Sequence, residues 1–73
     1  MSLLQLQLEG RGLTTRELEV LRAAAEGLSA KETGKTLCKS EHTIATQRRA
    51  LQAKLGAKNL THAIALAYQR GIL

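Results

Sequence analysis

Apolar positions along this chain fall into four stretches of helical period, and each stretch is opened by a residue suited to capping a helix. Thr14-Thr15-Arg16-Glu17 matches a capping box, in which a Thr oxygen accepts from the backbone three residues on and the Glu reaches back. It predicts a first helix over Thr15–Ala25, with Leu18, Leu21 and Ala25 on one face, Val20 and Ala24 beside them, and Gly27 as a left-handed stop. Ser29-Ala30-Lys31-Glu32 is a second capping box and predicts a short helix over Ala30–Leu37. Gly34 inside it costs about 1 kcal/mol relative to Ala, which implies a close helix crossing. Ser40 caps a third helix over Glu41–Leu55, with Ile44, Leu51 and Leu55 facing the core and Gln47 and Arg48 at its edge. Gly56 ends it, with Lys54 in the last turn. Asn59 opens a fourth helix over 60–70, striped by Ala63, Ile64, Ala67 and Tyr68, with His62 near the cap. The leading segment 1–12 alternates Leu3, Leu4, Leu6 and Leu8 with polar residues and closes on Gly10 and Gly12. It is read as an N-terminal arm before a domain spanning 13–73. The fold expected is all-α, with four helices.

Composition narrows the function. At 73 residues the chain has room for one small core, and domains of this size commonly need a staple. Cys38 is the only cysteine, so disulfides are excluded. Cys38, His42 and His62 make no four-ligand zinc set, and no cofactor is expected. Association remains, as a homodimer or with a larger partner. A lone Cys38, a lone His42 and scattered Glu residues offer no paired acid and base, so an enzyme is not expected. Tyr68 is the only aromatic residue, against both a β-rich fold and a base-stacking platform for single strands. It is assigned to core or dimer surface. Cys38 is expected to behave as a small apolar packing residue. Neither a membrane-length apolar run nor a signal peptide is present, so the expected location is cytoplasmic.

The formal net charge is +5 and the pI about 10.0. Residues 1–30 carry three Arg against Glu9, Glu17, Glu19 and Glu26, a net −1; residues 31–73 carry eight Lys or Arg against Glu32 and Glu41, a net +6. A polyanion suits such a surface. The basic part also contains a capped short helix, a tight turn at Cys38-Lys39-Ser40 and a longer capped helix. That is the arrangement of a helix-turn-helix, whose second helix enters the major groove of double-stranded DNA. Ala45, Thr46 and Arg49 share one surface, and Arg49 can donate twice to a guanine edge. Lys31, Ser40, His42, Thr43, Arg48, Lys54 and Lys58 are assigned to phosphates. In the plainer reading, Arg48, Arg49 and Lys54 are the solvated face of a helical bundle.

The run Leu13-Thr14-Thr15-Arg16-Glu17-Leu18-Glu19-Val20-Leu21 resembles the opening of the LuxR-type (GerE- or FixJ-type) domain. The likeness continues through 25–32, Leu37, Ser40, Thr43-Ile44 and 54–59, and ends with Ala63 and Gly71-Ile72-Leu73. It covers 13–73. The resemblance implies a bacterial transcription regulator that binds inverted repeats as a dimer, with the third helix reading DNA. It places the dimer contact on the fourth helix, at Ala63, Ile64, Ala67 and Tyr68, and leaves RNA polymerase or a related regulator as further partners. Members mostly carry a sensory domain before this one, so the chain resembles the minority that stand alone, with an excised domain as the alternative. Five positions depart from the pattern: Thr33 for Ile, Gly34 for Ala, Lys39 for an apolar residue whose place its stem can take, Ala45 for a basic residue and Gln47 for His. Lys39, Ala45 and Gln47 motivate a second reading, a degenerate module that modulates a full-length relative by heterodimerisation.

Overall fold

A computed structural model describes residues 12–73, so the arm lies outside the described residues apart from Gly12. Four helices follow: α1 (Thr15–Ala25), α2 (Ala30–Leu37), α3 (Glu41–Leu55) and α4 (Leu60–Gln69). No strand occurs among the described residues. The first three helices match the bounds expected from the caps, and α4 ends one residue early, with Arg70 as its cap.

The starts are held as the sequence suggests. The Thr14 hydroxyl accepts from the Glu17 N–H at 3.1 Å and the Glu17 carboxylate accepts from the Thr14 N–H at 2.8 Å. Ser29 and Glu32 repeat the exchange. Ser40 Oγ accepts from the Thr43 N–H at 3.0 Å, and Asn59 Oδ1 from the His62 N–H at 2.8 Å. His62 adds a bond of its own, its Nδ1 accepting from the Lys58 N–H at 3.0 Å.

Helix α3 is the hub and packs against each of the other three, while α1 also touches α2 and α4. Leu13, Val20, Leu21, Ile44, Leu51, Leu55, Ala63, Ala67 and Ile72 form the buried core. On α1 the core side is centred on Glu17, Val20 and Leu21, and Leu18 is only partly buried. Two of the nine core residues are Ala, so the core is small in volume as well as in number.

The turn between α2 and α3 is the tightest point. A Cβ on Gly34 would sit 2.5 Å from the Lys39 carbonyl oxygen. Gly34 is therefore required by the backbone of the turn itself, not by the crossing of a helix. Its own carbonyl accepts from the N–H groups of both Cys38 and Lys39. Cys38 adopts a left-handed conformation, φ +58°, the only non-glycine described residue with positive φ. Its side chain is exposed, which corrects the expectation that it packs as an apolar residue. Lys39 is exposed too.

Candidate nucleic-acid interface

The burial pattern of α3 divides it lengthwise. Ile44, Leu51 and Leu55 are buried against the other helices. Opposite them His42, Thr46, Arg49 and Ala53 are exposed, at spacings of four, three and four residues. At about 100° per residue these four lie within about 60° of one another. Ala45 is half-buried and sits on the margin of this seam. Arg49 Nη2 donates to Thr46 Oγ1 at 3.4 Å, so the hydroxyl steers the guanidinium along the helix. Ser40 and Thr43, at the start of the helix, share a hydroxyl–hydroxyl bond of 2.9 Å.

The cations divide into two groups. Arg48 Nη2 donates to the Leu28 carbonyl at 2.9 Å, tying α3 to the loop between α1 and α2. Lys54 Nζ lies 2.7 Å from Glu17 Oε1 and 3.4 Å from the Gly12 carbonyl. Arg70 Nη1 donates to the Leu55 carbonyl at 3.1 Å, at the C-terminal end of α3. Arg16 similarly reaches the Leu37 carbonyl at 3.4 Å and Glu19 at 3.4 Å. These cations hold helix ends and loops together, and Arg48 and Lys54 were expected on phosphates. By contrast Lys31, Lys35, Lys39, Arg49 and Lys58 are exposed and pair with no carboxylate among the described residues. Lys35 and Lys39 were not among the expected contacts. Their signal was present, because Lys31 and Lys35 stand one turn apart on α2.

Burial by itself would raise the Glu17 carboxyl. The Lys54 ammonium, through its hydrogen bond and charge, and the two Thr14 bonds outweigh it and hold the group below the usual carboxylate value. Glu32 is lowered as well, by the backbone and side-chain bonds to Ser29. Both glutamates therefore carry full charge at neutral pH and belong to the scaffold.

The residues expected at a dimer contact are split. Ala63 and Ala67 are wholly buried in the chain's own core and cannot meet a second chain, which corrects that assignment. The helical stripe was read as one apolar face, when only Ala63 and Ala67 of it are fully inward. Tyr68 is 60% exposed and Ile64 is partly buried; Thr61 and Ala65 share the outward side.

The sequence matches the family model described as bacterial regulatory proteins, luxR family, over residues 11–67. The chain belongs to that family, and its four helices are the family's helix-turn-helix domain. It is similar to the transcriptional regulatory protein YdfI of Bacillus subtilis, 41% identical over 61 residues, covering 84% of this chain and 29% of that protein. It is also similar to the transcriptional activator protein BjaR1 of Bradyrhizobium diazoefficiens, 43% identical over 61 residues, covering 84% of this chain and 25% of that one. The chain thus spans less than a third of either relative. No solved structure matches. Among the described residues no helix is long and apolar enough to cross a membrane, and no cluster of His, Cys, Asp or Glu could hold a metal.

Proposed function

We propose that this chain binds double-stranded DNA sequence-specifically and regulates transcription, as a dimer on an inverted repeat. The observation that carries the reading is the outward seam of α3. Thr46 and Arg49 stand exposed on a capped helix whose other face is anchored in the core. A major groove admits one such helix, and a guanidinium there can donate twice to guanine O6 and N7. Lys31 and Lys58 flank the reading helix as phosphate contacts, with Ser40 and Thr43 at its N-terminus. Lys35 and Lys39 extend that set. Arg48 and Lys54 are assigned to positioning α3 rather than to the phosphates. The small core favours association, and the outward side of α4, with Tyr68, Ala65 and Thr61, is the surface assigned to it. The names of the two relatives, a regulatory protein and an activator, support the regulatory role.

Selection from a pool of random duplexes tests this. We expect recovery of an inverted repeat whose half-sites lie about one helical turn apart. Retention of DNA with no common motif would overturn the sequence-specific reading. It would favour the alternative that the altered positions Lys39, Ala45 and Gln47 suggest, a module that pairs with a full-length relative.

A further inference from the structure

On the basis of the DNA-binding reading, we propose that His42 reads a base edge and that the specificity set of this chain is His42, Thr46 and Arg49, with Ala45 at its margin. From the sequence, His42 was assigned to phosphate. Its place on α3 is different. It lies on the same exposed seam as Thr46 and Arg49, one turn nearer the N-terminus, whereas Thr43 and Ala45 stand to either side and are half-buried. A helix seated in the major groove presents its N-terminal residues to the bases, while residues on its two flanks approach the phosphate strands. A side chain in line with the reading residues therefore faces the groove floor.

The spacing fits the DNA as well. His42 and Arg49 are seven residues apart, a rise of about 10 Å along the helix axis. That spans roughly three base-pair steps at about 3.4 Å each. An imidazole carries a donor in either protonation state and can address the O6 or N7 acceptors of guanine. The His42 side chain makes no hydrogen bond to the described residues, so both ring nitrogens are available to a ligand. Arg49, by contrast, is already steered by Thr46. The half-buried methyl of Ala45 leaves clearance on the margin where a longer side chain would compete for the same base pairs.

The test compares the wild type, His42→Ala and His42→Asn by selection from a random duplex pool, with affinity measured across salt concentrations. His42 is exposed and outside the Ser40 cap bond, so both variants should melt with the wild type by circular dichroism. We expect His42→Ala to lower preference at one base position of each half-site by roughly 5- to 100-fold and leave the others intact. His42→Asn should change the preferred base at that position, because its amide suits adenine. An even loss across all sequences, or no change, would overturn the assignment and return His42 to a phosphate or solvent role. If the wild type itself selects no motif, the DNA reading fails first, a result distinguishable from failure of His42 alone.

Discussion

Single residues in this domain are specialised in ways that their spacing does not reveal. Arg48, Lys54 and Arg70 all reach backbone carbonyls 15 or more residues away in sequence, and Lys54 also pairs with the Glu17 carboxylate. A periodic reading of α3 separates core from surface, but it does not say which surface cations are already engaged. Thr33 illustrates the opposite case. It is fully buried, and its hydroxyl has no hydrogen-bond partner among the described residues. A buried hydroxyl left unpaired costs about 1–3 kcal/mol, and Val has nearly the same shape without it. We therefore expect Thr33→Val to stabilise the fold by about 1 kcal/mol in urea unfolding. A loss of stability would mean that the hydroxyl is satisfied by buried water.

At the level of elements, the helix-turn-helix is set by the closure of α2 onto the start of α3. Gly34 and the Lys39 carbonyl approach more closely than a Cβ allows. Helix propensity alone favours Ala at position 34 by about 1 kcal/mol. The overlap is with backbone and cannot be relieved by a side-chain rotation, so Gly34→Ala should instead destabilise by about 1–3 kcal/mol. Urea midpoints decide between the two signs; a rise in midpoint would mean that the turn yields freely. The starts of all four helices were legible, because Thr14, Ser29, Ser40 and Asn59 each form the cap that a local pattern describes. The turn was not. Cys38 takes a left-handed conformation usually given to Gly or Asn, imposed by the short path between two helices, and nothing local marks it. Ala63 and Ala67 of the α4 stripe were assigned outward with Tyr68, because period alone does not tell a core-facing stripe from a surface one. Ala63 and Ala67 are small enough to let α4 approach the core, and that is where they lie.

For the whole molecule, charge is divided unevenly along the chain. The net +6 of residues 31–73 overstates what a ligand meets, since Arg48, Lys54 and Arg70 are engaged within the fold. The five cations left over are all exposed on α2, the turn, α3 and the loop before α4. The first part of the domain, by contrast, carries charges of both signs, Glu19, Arg22 and Glu26, around a groove lined by Leu18, Leu28 and Leu37. Under the proposed function, charge of this distribution orients the domain toward a polyanion, while selectivity is assigned to the seam of α3. The two roles are separable. Lys58→Ala should weaken binding to every duplex about equally and reduce the salt slope by about 1.

The most direct test of the reading surface is Arg49→Ala, measured as affinity for the selected site and for each of its single-base variants at fixed salt. We expect a loss of roughly 1–3 kcal/mol on the selected site, with discrimination abolished at one base position in each half-site and kept elsewhere. An equal loss across all the variants would contradict the central claim, because it would make Arg49 one more phosphate contact and leave α3 without its principal reader.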